Sequence, residues 1–259
     1  MRRWILDSPL LRHLLFYPRQ QPQPSVQRPG IQDGTIPVSD NVVLGYRCYH
    51  QAGDERAIVY FHGNGEIASD YDTVAGNYHA IGCSLLVIDY RGYGWSTGEP
   101  RATALLEDVP AICAALEDIL VPLGLHHWVI MGRSLGSIST IEMAYRFPDR
   151  FVGLILESGL AQVLLVYWPL GWLGVRILAA SPDLFGNLRK MRHVALPVLV
   201  IHGERDRVLP VRNGQKLYEA AATPAKTLRR LPGVGHNDLM LAARRDYFAA
   251  IEAFLNTIP

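Results

Sequence analysis

The stretch VIMGRSLGS, residues 129–137, decides how the chain is read. An aliphatic run ends at Met131, G-x-S-x-G follows as Gly132-Arg133-Ser134-Leu135-Gly136, and helical periodicity continues to about residue 146. A strand that turns sharply into a helix holds the residue at the turn on a strained backbone, where bulky neighbours two positions away would clash. Gly132 and Gly136 relieve that crowding and leave the Ser134 hydroxyl at the sheet edge. The helix start behind it favours developing negative charge. A plain Gly-flanked helix cap at Ser134 is the bland alternative. The strand before and the helix after, within an α/β alternation, favour a nucleophile.

That alternation extends in both directions. AIVYF (57–61) is followed by a helical pattern over 66–80, SLLVIDY (84–90) by one over 102–121, and HWVIM (127–131) by one over 134–146. FVGLILES (151–158), PVLVIHG (197–203) and KTLRRLP (226–232) supply further strands, and 238–256 reads as a closing helix. Short aliphatic strands separated by helices predict a mostly parallel, doubly wound α/β sheet with helices on both faces. IPVSDNVVLGYRCYH (36–50) alternates about Asp40-Asn41 and predicts an antiparallel hairpin ahead of it. Residues 1–34 form an apolar segment and a Pro/Gln-rich connector, and 35–259 one domain with a cap insertion at about 159–190.

Partners for Ser134 should follow in the order acid, then histidine. HGERDRVLP (202–210) ends a strand and offers Glu204 and Asp206, and LPGVGHNDL (231–239) places His236 in a Gly-rich loop before the last helix. Both are loops after strands, where open α/β sheets carry their sites. A turn aspartate bridging to Arg205 or Arg207, and a surface histidine, are the bland alternatives. His126 and His127 begin a strand, His193 and His202 lie near strand ends, and His62 opens a loop. No spacing among them suits a metal, so none is expected.

HGNGEIA (62–68) admits two readings. Gly63, Gly65 and Ala68 spell G-x-G-x-x-A after a strand, with Asp89 ending the next one, as in a dinucleotide-binding turn of an NAD(P)-dependent oxidoreductase. The alternative is a hydrolase loop that holds an oxyanion. Only the second accounts for the ordered serine, aspartate and histidine.

Composition narrows the classes further. Nearly half of the 259 residues are apolar and the net charge is +1, so a buried core is expected and a nucleic-acid partner is not. Cys48, Cys83 and Cys113 form no C-x-x-C and read as reduced thiols of a cytoplasmic protein. In MRRWILDSPLLRHLLFYP (1–18), Asp7, Pro9, Arg12 and His13 interrupt the apolar run, which argues against a cleaved signal. This greasy, basic segment either packs on the domain or makes a peripheral membrane contact. From Gly159 to Val175 the chain is uncharged, but Pro169, Gly171, Gly174 and Arg176 interrupt it, so a helical cap is expected rather than a span. Its Leu164, Tyr167, Trp168 and Trp172 are candidate contacts for an apolar substrate.

HGNGE, DYRGYGWSTGEP (89–100), GRSLGS, HGERDRVLP and GVGHNDL together resemble the α/β-hydrolase superfamily, most closely its serine aminopeptidase-like branch. That branch includes monoacylglycerol-lipase-like and protein-depalmitoylase-like hydrolases. The resemblance covers roughly residues 35–258 and implies the α/β-hydrolase fold. It also implies Ser134 as nucleophile, Asp206 as acid and His236 as base. Asn64 and Leu135 are implied as backbone N–H donors to the oxyanion, and residues 91–96 as a supporting loop. The implied substrate is a small ester or acyl compound, cleaved without a cofactor. Thioester and peptide hydrolysis use the same triad. A hydrolase-like binding module without activity is the non-enzymatic alternative.

Overall fold

The computed structural model describes residues 7, 9–26, 28–162 and 183–259, so Leu164, Tyr167, Trp168 and Trp172 lie outside the described residues. Among the described residues, eight strands are ordered β1-β2-β4-β3-β5-β6-β7-β8 in one mostly parallel sheet, and the chain divides into two compact units, 1–131 and 132–259.

In the first unit, helix α1 (Pro9–Leu15) precedes the hairpin β1 (Ile31–Ser39) and β2 (Val42–Tyr49), which turns at Asp40-Asn41 as expected. Strands β3 (Arg56–Phe61) and β4 (Cys83–Ile88) pair in parallel, and β2 pairs with β4 antiparallel. β4 is buried at every residue, which explains its unbroken aliphatic run. Arg47 ties the hairpin down. It is 1% exposed and forks onto Asp33 at 2.6 and 2.9 Å, with Asp72 at 2.7 Å. A buried guanidinium needs such partners.

Three of the expected helices are divided, the closing one over 238–256 at Ala243. Residues 66–80 form a 3₁₀ turn (Ala68–Thr73) and α2 (Ala75–His79), and 102–121 form α3 (Ala104–Glu107) and α4 (Val109–Leu120). Pro110 stands in the first turn of α4, where its missing N–H is harmless; α3 cannot run through it. β5 (His127–Arg133) then runs from the first unit into the second.

The second unit comprises α5 (Ser137–Arg146), β6 (Gly153–Glu157), α6 (Asn187–Met191), β7 (Val198–Gly203), α7 (Arg212–Ala220) and β8 (Lys226–Leu231), then α8 (Leu239–Ala242) and α9 (Arg244–Leu255). β6, β7 and β8 pair in parallel. β7 is wholly buried, whereas the edge strand β8 shows Thr227, Arg229 and Arg230 to solvent, charges that discourage edge pairing. The three cysteines are free and buried, and burial pushes the Cys48 and Cys83 thiols up to about 12.

Gly203 ends β7 where the chain of Val234 and Gly235 crosses it. A Cβ there would lie 2.5 Å from the Val234 carbonyl oxygen and 2.8 Å from that of Gly235. We expect Gly203→Ala to destabilise by about 1–3 kcal/mol and to lower Tm by several degrees. Gly76→Ala, in helix α2 with nothing within 4 Å of the added Cβ, should leave Tm unchanged or slightly raised. Thermal unfolding of the two variants checks this; equal Tm values would contradict the close approach.

Candidate active site

Ser134 has φ 50°, in the left-handed region that a residue with a Cβ rarely adopts. Among the described residues, Ser158 is the one other non-glycine with positive φ. Gly132 shows why the motif demands a small residue: its Cβ would lie 2.3 Å from Thr140 Oγ1 and 2.6 Å from the Gly136 carbonyl oxygen. The turn is held from below, because Leu160 N–H donates to Ser137 Oγ at 2.9 Å and Ser137 Oγ donates to the Ser134 carbonyl at 2.6 Å. A 3₁₀ turn over Ser134–Gly136 leads straight into α5, so Leu135 stands at the positive end of that helix.

Two loops meet Ser134 within the second unit. His236 Nε2 is 3.0 Å from Ser134 Oγ, and His236 Nδ1 is 2.7 Å from Asp206 Oδ2. The loops are zipped together by backbone bonds from Glu204 N–H to Leu231 O at 3.0 Å and from Arg205 N–H to Val234 O at 2.8 Å. Asp206 Oδ1 accepts the N–H groups of Val208 at 2.9 Å and Leu209 at 2.7 Å. The Asp206 carboxylate therefore serves the histidine and its own turn. With Asp206 ionised, Nδ1 carries the proton and Nε2 presents its lone pair to the serine hydroxyl, an assignment made from the partners.

A second histidine supports the acid. His202, fully buried at the end of β7, has Nε2 2.7 Å from Leu209 O and 3.3 Å from Asp206 Oδ2. Burial pushes the Asp206 carboxyl up, but His202, His236 and the Leu209 N–H outweigh it and hold the group well below the usual carboxylate range. In the sequence His202 reads as a strand-end residue. The available signal was its spacing of four from Asp206 across a turn.

The first unit holds the other predicted donor. The 62–66 loop is closed by Gly63 N–H donating to Glu66 Oε2 at 2.7 Å and by Glu66 N–H donating to Gly63 O at 3.3 Å. The Asn64 side chain is occupied elsewhere: Nδ2 donates to Leu15 O at 2.8 Å, and Oδ1 accepts Tyr17 N–H at 2.9 Å and Tyr93 Oη at 2.6 Å. Arg19 adds bonds to Gly65 O at 3.1 Å and Asp70 at 2.6 Å, so residues 15–19 strap the loop. Asp89 is fully buried, with Oδ1 3.1 Å from His62 Nε2 and 2.8 Å from Ala68 N–H. A carboxylate so enclosed does not suit a ribose, which counts against the dinucleotide reading. In the 91–96 segment, Arg91 Nε donates to Asp108 at 2.7 Å and Ser96 Oγ accepts Gly45 N–H at 2.8 Å, bonds that tie the loop to its surroundings.

Among the described residues, no group of three His, Cys, Asp or Glu could hold a metal ion, and no helix is long and apolar enough to cross a membrane.

Known proteins resemble this chain in sequence and in fold. The family model for the alpha/beta hydrolase fold matches residues 56–190, and that for the serine aminopeptidase family S33 matches residues 173–240. An uncharacterized protein of Mycobacterium tuberculosis is 32% identical over 253 residues, covering 94% of this chain and 86% of its own. Alpha/beta hydrolase domain-containing protein 17B of Xenopus laevis is 31% identical over 188 residues, 71% of this chain and 61% of that longer protein. Esterase Pf2001 of Pyrococcus furiosus superposes with a TM-score of 0.71 at 19% identity, over 93% of this chain and 99% of the esterase, a likeness of fold. With a glycine-flanked serine between strand and helix and the family match spanning half its length, the chain belongs to the alpha/beta hydrolase fold family.

Proposed function

We propose that the chain is a serine hydrolase that cleaves carboxylic esters through an acyl-enzyme intermediate. One observation carries this reading: the unbroken relay from Ser134 Oγ through His236 to Asp206, starting from a serine in the left-handed region. His236 Nε2 takes the hydroxyl proton as Ser134 attacks the acyl carbonyl. Asp206 holds the tautomer and stabilises the imidazolium that forms. The Leu135 and Asn64 N–H groups are the proposed donors to the tetrahedral oxyanion. His236 returns the proton to the departing alcohol, and water activated by the same histidine releases the acid.

The uncharged stretch from Gly159 to Val175, with Leu164, Tyr167, Trp168 and Trp172, supports a preference for apolar acyl groups. The resemblance to an esterase fold agrees with an ester as the scissile bond. Thioesters and peptides are the competing substrates that a panel must test.

Ser134→Ala should abolish hydrolysis of p-nitrophenyl butyrate while leaving Tm within a degree or two; full residual turnover would remove the serine from the scheme. Activity of the wild type should rise from acetyl to longer acyl chains, and a fall beyond butyryl would speak against an apolar acyl site. Asp206→Asn should lower kcat about 10³–10⁴-fold, since it upsets the tautomer of His236.

Asp206 also makes a prediction about stability. Its folded-state carboxyl titrates below the unfolded value, so its contribution is fully present above about pH 4 and is lost as pH falls below that. The Tm gap between wild type and Asp206→Asn should therefore narrow as pH is lowered below about 4. A gap independent of pH would contradict it.

A further inference from the structure

The residue before the nucleophile has no part in the acyl-transfer scheme, yet it reaches both the core and the histidine loop. Arg133, the last residue of β5, is 6% exposed. Its Nε donates to Glu157 Oε1 at 3.1 Å, and Glu157 Oε2 accepts the Tyr247 hydroxyl at 2.8 Å. Its Nη2 donates to the His236 carbonyl oxygen at 3.1 Å and to Asn237 Oδ1 at 2.9 Å. One planar guanidinium thus joins a buried acid on β6, the main chain of His236 and the side chain after it.

The histidine needs such an anchor. Asp206 fixes the ring of His236, and the Arg205–Val234 backbone bond pins the loop two residues upstream, but neither reaches the His236 carbonyl. The approach to that residue, Pro232-Gly233-Val234-Gly235, contains two glycines, which give a loop many accessible conformations. Arg133 is bonded directly to Ser134 in the chain, so its grip on His236 O sets the base relative to the nucleophile through one side chain. Glu157 neutralises the buried cation and fixes its plane, and Tyr247 from α9 fixes Glu157 in turn.

We propose that Arg133 is the positioning residue that holds His236 in register with Ser134. The inference rests on the serine-hydrolase reading above for its kinetic consequence, though not for its spectroscopic one.

Arg133→Lys keeps the charge, but one Nζ cannot serve Glu157, His236 O and Asn237 together with the fork's geometry. On p-nitrophenyl butyrate, kcat should fall about 10–100-fold with KM within about twofold, as expected when a catalytic group is displaced by about an ångström. The low-field proton resonance of His236 Nδ1–H, identified by its loss in His236→Gln, should be present in the wild type and broadened or absent in Arg133→Lys. A purely structural role would lower Tm without this split or this signature. Unchanged kcat and an intact resonance in folded Arg133→Lys would overturn the proposal. If that variant does not fold, Asn237→Ala decides: Asn237 is exposed, and its loss should reduce kcat about 3–10-fold, whereas unaltered kcat and resonance overturn the proposal. A wild type without esterase activity whose resonance still depends on Arg133 would sink the hydrolase reading and leave the positioning role standing. An active wild type indifferent to both substitutions would do the reverse.

Discussion

A serine held at φ 50° between β5 and α5 is the constraint from which the rest of the site follows. An L-residue in the left-handed region costs about 1–2 kcal/mol, so surrounding structure must enforce it. Here the enforcement is local and compact. The Gly132 position admits no Cβ, Thr140 and Gly136 fill the space beside it, and Ser137 ties the Ser134 carbonyl to the chain at Leu160. The strain turns Oγ away from the strand and toward His236 while the first turn of the helix begins at Leu135. Backbone strain, hydroxyl direction and the N–H groups of a helix start are one feature seen from three sides.

The other two members reach the serine because parallel strands end together. β7 delivers Asp206 and β8 delivers His236 from loops at the same ends of neighbouring strands, and both lie with Ser134 in the second unit. The absence of a side chain at Gly203 lets the two loops run close enough to exchange backbone bonds. Electrostatics then sort the groups. Two histidines and two backbone N–H groups converge on a single buried carboxylate, which keeps Asp206 ionised and its neighbour His236 oriented. In the proposed mechanism an acid so well satisfied orients and stabilises His236; it does not exchange protons itself.

Local features could be read directly from the residues. The G-x-S-x-G turn and the hairpin at Asp40-Asn41 rest on short-range chemistry, and the backbone adopts both; Ser134, Asp206 and His236, far apart in the chain, lie within hydrogen-bond distance in the order their motifs suggest. What is hidden in the sequence depends on contacts that only the folded chain makes. His202 looked like a strand-end residue because its partners, Asp206 and Leu209, meet it only when the loop folds back. Arg133 gave no sign, since Glu157, His236 and Asn237 are far from it in the chain. The strap of residues 15–19 over Asn64 was likewise unreadable: backbone atoms of Leu15 and Tyr17 make its bonds, and composition says nothing of them. The breaks at Pro110 and near Ala243 were passed over because apolar periodicity continues across both.

Activation of Ser134 by His236 and Asp206 is the central claim, and covalent labelling tests it most directly. A fluorophosphonate probe mixed with the folded protein, followed by intact-mass and peptide mass spectrometry, should give one adduct, on Ser134, and labelling should fall steeply in His236→Gln. Folded protein that takes up no probe, or that is labelled equally well without His236, would contradict the account.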